Sequence, residues 1–164
     1  MKKLFFLSAV FVFCFLRLQS QNPASNDMQH SSNGHVMLNP NDLKWMDAPP
    51  ALPKGAKVAV LSGDPNKPGP FALRVMFPEN YKIAAHWHPT YENVVVLEGT
   101  LYMGSGEKLD ESKAMALSTG GYTGIPAKSA HFAFTKEKTT IQVNSEGPFE
   151  VNYFNPADDP RQKK

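Results

Sequence analysis

The chain has 164 residues, with 17 Lys and Arg against 15 Asp and Glu and a formal net charge of +2, a length that suits one domain with a sizeable core. It has no basic patch interleaved with aromatics, so the electrostatic footprint of a nucleic-acid binder is missing. A single cysteine excludes a disulfide framework.

Lys2 and Lys3 precede an apolar run from Leu4 to Leu16 that is too short for a comfortable membrane span. With Gln19 and Ser20 following, residues 1–20 read as a signal peptide cut near Ser20, which predicts an exported protein, periplasmic or secreted, with no membrane attachment after cleavage. An uncleaved anchor is the alternative. Cys14 lies inside this segment and follows Phe13 rather than a small residue, so a lipoprotein signal is not indicated and the mature chain would carry no thiol. Removing Lys2, Lys3 and Arg17 leaves 14 basic residues against the 15 acidic ones. The positive charge thus belongs to the targeting segment.

Residues 21–56 read as a flexible tether and arm, rich at first in Asn, Ser and Gln without periodicity. His30 and His35 sit in or beside the tether and are treated as bystanders. A short edge strand is expected at Val36 to Leu38, a turn at Asn39 to Asp42, and a helical turn or arm at Leu43 to Met46 that packs Trp45 on the domain. Pro49, Pro50 and Pro53 exclude regular structure up to Gly55.

From Lys57 the pattern is short strands between turn clusters, the signature of an all-β sandwich or barrel. Strands are predicted at Lys57 to Ser62, Phe71 to Phe77, Lys82 to His88, Asn93 to Leu97, Thr100 to Gly104, Gly121 to Ile125, His131 to Thr135, Thr140 to Asn144 and Phe149 to Phe154. One short amphipathic helix is predicted at Leu109 to Leu117. Residues 57–157 form the domain, and the charged tail, 158–164, is expected to fray.

The chemistry concentrates in His86 to Gly99. His86 and His88 are two apart, and residues i and i+2 of a strand project from one face, so both imidazoles can reach one ion. Pro89 bends the chain, after which Glu92 can return its carboxylate to the same point, and Glu98-Gly99 makes a tight turn. Downstream, Gly120, a short strand and Pro126 deliver His131 at the head of another apolar strand. The alternative, that these are ordinary strand polars, is opposed by the agreement of ligand spacing, glycine turns and proline bends.

With these residues in place the chain resembles the cupins. His86, His88, Glu92 and Gly99 match the first cupin motif at every spacing, and Gly120, Pro126 and His131 fit the second. Lys128 stands where the family has glycine, and Thr135 where it has asparagine. The resemblance covers roughly Lys57 to Asn155 and implies a double-stranded β-helix, a jelly-roll barrel, with His86, His88, Glu92 and His131 as metal ligands. Such a donor set suits one divalent first-row ion, Fe, Mn, Ni, Cu, Co or Zn. Four protein ligands on an octahedral ion leave two positions open, unlike a closed structural site.

A two-residue hairpin at Glu98-Gly99 would place Val94, Val96, Leu101 and Met103 on the ligand face as an apolar wall. Val95, Leu97 and Tyr102 on the other face would need cover from the arm or a second subunit, and a homodimer is the expectation. A hairpin over Lys136 to Thr139 would place Gln142 and Asn144 beside His131, the alternative being exposed strand polars. Arg74 interrupts an apolar run and either orients an anionic substrate or lies on the surface. Trp87, Tyr91 and Tyr122 read as packing. Two functions follow: an exported metal-dependent enzyme, dioxygenase-like, acting on a small organic molecule with Glu92 as ligand and base, or a non-catalytic module that binds metal or a small ligand.

Overall fold

The computed structural model describes residues 34–162. The expected signal peptide, and the tether as far as Asn33, lie outside the described residues. Export rested on that segment alone, and nothing in residues 34–162 supports it. Among the described residues, no helix is long and apolar enough to cross a membrane.

The strands are β1 (Met46–Asp47), β2 (Lys57–Ser62), β3 (Gly69–Phe77), β4 (Lys82–Trp87), β5 (Glu92–Glu98), β6 (Thr100–Ser105), β7 (Met115–Ser118), β8 (Tyr122–Ile125), β9 (His131–Thr135), β10 (Thr139–Gly147) and β11 (Asn152–Tyr153). They form a six-stranded sheet, β1-β2-β3-β10-β5-β8, and a five-stranded sheet, β11-β4-β9-β6-β7. The pairings are antiparallel. No ladder among the described residues joins the two sheets, so the expected closed jelly-roll barrel is replaced by two stacked sheets with free edges at β1, β8, β11 and β7.

Alternation sets the faces. In β5, Glu92, Val94 and Val96 are buried and Asn93, Val95 and Leu97 are half-buried, because successive side chains leave a strand on opposite sides. The inner faces contribute Phe71, Val75, Phe77, Ile83, Val94, Val96, Leu101, Ile141 and Val143 to one core, each large side chain stabilising the fold by about 1.5–3 kcal/mol. A second cluster lies behind the five-stranded sheet, where Ala85, Phe132 and Phe134 pack with Tyr102, Leu109 and Ala114. Tyr102 stacks on Phe134 with ring centroids 4.9 Å apart. The homodimer expectation rested on Val95, Leu97 and Tyr102. Tyr102 is covered by the chain's own Leu109 and Ala114, whereas Val95 and Leu97 lie half-buried on the outer face of the other sheet, so no shared bare face remains to call for a second subunit.

Both expected hairpins are crossings between sheets. β5 pairs with β10 and β8, whereas β6 pairs with β9 and β7. Likewise β9 pairs with β4 and β6, and β10 with β3 and β5. Sequence periodicity is the same whether a turn folds within one sheet or steps to the other, so pattern alone did not separate the two.

The expected helix at Leu109 to Leu117 is also corrected. Only Glu111–Lys113 makes a 3-10 turn, capped by Asp110, whose carboxylate accepts from the Ser112 N–H at 3.1 Å. The chain then extends as β7, because β6 offers a free edge on which Leu117 faces Leu101 and Met115 faces Met103. At the N-terminal end the 3-10 turn falls at Pro40–Asp42, and the strand is β1 rather than Val36 to Leu38. Of Phe149 to Phe154, only β11 is extended in a ladder, against Trp87 and His86. The tail is docked through residue 161: Arg161 Nε donates to both Asp159 carboxylate oxygens at 2.8 and 3.0 Å.

Gly99 makes the step from β5 to β6 with φ of +75°, and a Cβ there would meet the Lys138 carbonyl oxygen at 2.5 Å. Conformation and space both demand glycine. Gly99→Ala is expected to lower the unfolding free energy by about 2 kcal/mol, measured by urea denaturation.

Candidate metal centre

The site begins with a register shift. Ile83 faces Ala133 and His86 faces His131, so three steps on β4 span two on β9. This β-bulge at Ala84-Ala85 lets Ile83 and His86 share the inner face despite their odd spacing, which an unbroken strand would forbid. His86 and His131 are thereby directly opposed, with ring centroids 4.2 Å apart. His88 stands one residue beyond the end of β4, and its carbonyl accepts the Lys128 N–H at 2.8 Å. Glu92 opens β5 in the other sheet, so the site is assembled across the sandwich.

All four residues are buried, with exposures of 4% for His86 and His88, 3% for His131 and 7% for Glu92. Each imidazole directs Nδ1 at a backbone carbonyl: His86 at Ala84 (2.8 Å), His88 at Glu150 (2.6 Å) and His131 at Ser129 (3.0 Å). A carbonyl only accepts, so each Nδ1 carries the proton and each Nε2 keeps a lone pair. The Glu92 Oε2 lies 3.4 Å from His88 Nε2 and 3.6 Å from His131 Nε2.

Burial also sets the charge states. It lowers the His86 pKa well below the ordinary range, with His131 and His88 adding to the effect. It lowers His88 to about 4, against the opposing hydrogen bond to Glu150, and it lowers His131 as well. Burial pushes the Glu92 carboxyl up to about 8.

This donor set fits a transition-metal ion. The three histidines place their ligand atoms within 4.8 Å of one another, positioned to chelate a single divalent ion. Ligands on bonds of about 2.1 Å to one ion lie about 3–3.5 Å apart at cis angles, close to the two Glu92 separations. Neutral imidazoles held in the Nδ1–H tautomer are the form that metals take.

The four side chains line a cavity of about 570 Å³ between the sheets. Its wall includes Val94, Leu101 and Met103, together with Val75, Ile141 and Phe149. Val96 is buried in the same core but does not line the cavity. Arg74, Gln142 and Asn144 do not line it either. Arg74 faces Gln142 across β3 and β10, donating from Nε to Gln142 Oε1 at 3.4 Å, and Gln142 donates to Asn144 at 3.1 Å. These polar residues run along the outer face, opposite Ile141 and Val143. The alternation Ile141-Gln142-Val143-Asn144 was the signal for that choice, and the assumed β9–β10 hairpin overrode it.

The sequence reading missed the cover of the cavity. Met46, Pro49, Ala51 and Leu52 from the arm line it, held by hydrogen bonds from the Tyr81 hydroxyl to the Pro53 carbonyl and from the Tyr153 hydroxyl to the Ala51 carbonyl. It also missed the C-terminal wall, where Phe149 stacks on His88 with centroids 4.2 Å apart. Both come from segments without strand periodicity. Lys128 adopts φ of +62°, which explains why glycine is favoured at that turn.

Two antiparallel sheets around a buried three-histidine cluster are the fold that this chain shares with solved cupin structures. The polyketide cyclase RemF from Streptomyces resistomycificus superposes with a TM-score of 0.62 at 18% identity, covering 78% of this chain and 91% of that one. A cupin-2 domain protein from Rhodospirillum rubrum gives 0.56 at 13% identity, covering 76% and 82%. KdgF from Halomonas sp. gives 0.54 at 18%, covering 69% and 93%. At these identities the likeness is one of fold. No curated protein matches the chain. The chain belongs to the family described as a domain of unknown function, DUF4437, whose model matches residues 18–152.

Two measurements check this geometry. The Glu92 pKa is raised by folding, so its contribution to metal-free stability is present below about 4.5 and lost as pH rises through about 8. The histidine pKa values are depressed, so their contributions are complete above about 6.5 and lost as pH falls. Between pH 6.5 and 8.5 the stability of metal-free protein is therefore expected to fall, and Glu92→Gln to remove the fall, in urea melts across that range. Separately, Lys128→Gly is expected to raise stability by about 0.5–1 kcal/mol.

Proposed function

We propose that the protein is a metal-dependent enzyme acting on a small, largely apolar organic molecule, with dioxygenase-like oxidative chemistry. The observation that carries this reading is a neutral three-histidine face at a cavity of about 570 Å³ whose wall is chiefly aliphatic. Such a wall favours an aromatic or otherwise apolar substrate over a free sugar. A bound divalent ion would supply Lewis acidity or redox capacity there.

The chain's own residues have distinct roles in this reading. His86, His88 and His131 offer their Nε2 lone pairs, and Glu92 is the fourth ligand. Glu92 serves as ligand and base in turn, and its place beside two imidazoles puts Oε2 near a substrate oxygen held at the same point. Leu101, Met103 and Phe149 shape the apolar space, and the arm over Ala51 and Leu52 keeps bulk water from it.

A non-catalytic metal- or ligand-binding module is the second reading. It is favoured by the position of the other charged lining residues: Glu150 and Arg161 are exposed, and Asp64 is committed to Asn66 and Lys67, so Glu92 is the buried acid or base of the cavity.

Elemental analysis followed by oxygen uptake with small oxygen-bearing aromatic and diketone compounds tests the proposal. Near one transition-metal ion per chain is expected, lost in His86→Ala and reduced at least tenfold in affinity by Glu92→Ala, with both variants still folded by circular dichroism. Metal without turnover on any compound, or little metal in either protein, would overturn the enzyme reading and leave the binding module.

A further inference from the structure

The three imidazoles are not held alike. His86 and His131 find their carbonyl acceptors two residues away, at Ala84 and Ser129. His88 instead depends on Glu150, 62 positions along the chain, in the shortest of the three contacts at 2.6 Å. The preceding residue, Phe149, lays its ring on the His88 imidazole at 4.2 Å and 18°. The acceptor fixes which nitrogen carries the proton, and the stacked ring fixes the imidazole plane. Without both, the ring can rotate and present the wrong nitrogen to an ion.

The Phe149–Val151 segment is itself fastened from the chain's end. Arg161 donates from Nη2 to the Val151 carbonyl at 3.0 Å, while Asp159 holds its Nε from both oxygens. On the other side the Phe149 N–H reaches the Pro65 carbonyl at 2.8 Å, and its ring meets Phe71 edge-on at 5.3 Å. Arg161 is therefore one residue removed from the carbonyl that orients His88, although it lies in a tail that sequence alone read as frayed.

We propose that Phe149–Val151, fastened by Arg161, is the positioning element for His88, so that Arg161 sets metal affinity without touching the metal. The inference rests on the metal-centre reading above. Partners that orient ligating histidines govern metal affinity by about 10–100-fold. Coupling between two sites is reciprocal, so metal must in turn steady the segment.

Metal-free full-length protein titrated with Co²⁺ against a chelator tests this, in the parent, Arg161→Ala and Arg161→Lys. The expected result is a roughly tenfold weaker Co²⁺ affinity in Arg161→Ala with an altered visible spectrum, at an unchanged urea midpoint without metal. Arg161→Lys should recover part of the affinity, because an ammonium can still reach Asp159 or the Val151 carbonyl but cannot match the guanidinium fork. In the parent, Co²⁺ should slow amide hydrogen exchange across residues 149–153. An affinity within about twofold of the parent in Arg161→Ala, with an unchanged spectrum, would overturn the proposal. So would unchanged exchange in that segment, a measurement on the parent that decides the matter even where Arg161→Ala does not fold. A parent that binds no Co²⁺ overturns the metal-centre reading as well, whereas a parent that binds it with unaltered variants overturns this inference alone.

Discussion

The structure depends on burying four titratable side chains between apolar sheets without leaving their polar atoms unpaired. Moving a polar group out of water without a partner costs on the order of 1–3 kcal/mol in proteins. The chain meets this constraint by giving each Nδ1–H a backbone carbonyl and by gathering Glu92 against two imidazoles. The same contacts produce the chemistry, because an imidazole that donates from Nδ1 is left with a free Nε2 lone pair. A fold solution and a ligand geometry are here one arrangement.

That arrangement needs both sheets. The histidines belong to the five-stranded sheet and its extension, and Glu92 to the six-stranded one. The aliphatic core that holds the sheets together also walls the cavity, so one set of residues supplies stability and the dry surroundings in which neutral imidazoles and a raised carboxyl pKa are expected. Cover comes from the two segments that flank the strands in sequence, the Met46 to Pro53 arm and the stretch from Phe149 to Arg161, joined where the Tyr153 hydroxyl meets Ala51.

Local pattern made much of this legible. Lys57 to Ser62 and His131 to Thr135 are strands with the expected bounds, and the spacing of His86, His88 and Glu92, with His131 downstream, pointed to residues that the fold does bring together. Strand partnership was not legible. Val94, Leu101 and Met103 reach the cavity even though the assumed hairpin does not exist, because a turn that crosses between facing sheets keeps inward residues inward. Gln142 and Asn144 were misplaced because β10 was paired with β9, whose inward His131 would then bring Asn144 inward, whereas β10 pairs with β3 and β5 in the other sheet. The 109–117 segment was read as a helix from spacing that a free sheet edge at β6 converted into a strand.

The sequence by itself determined that the chain is built of short strands, where most of those from Lys57 to Asn144 lie, and that His86 and His88 stand at ligand spacing. Strand periodicity, glycine turns and ligand spacing act over fewer than about ten residues. Only the tertiary structure decided that the sheets stay separate, that a bulge at Ala84-Ala85 turns His86 inward, and that Glu150 and Arg161 stand behind His88. Those outcomes depend on contacts between residues far apart in the chain, 62 positions in the case of His88 and Glu150, and no local pattern encodes which distant backbone carbonyl will meet a given imidazole.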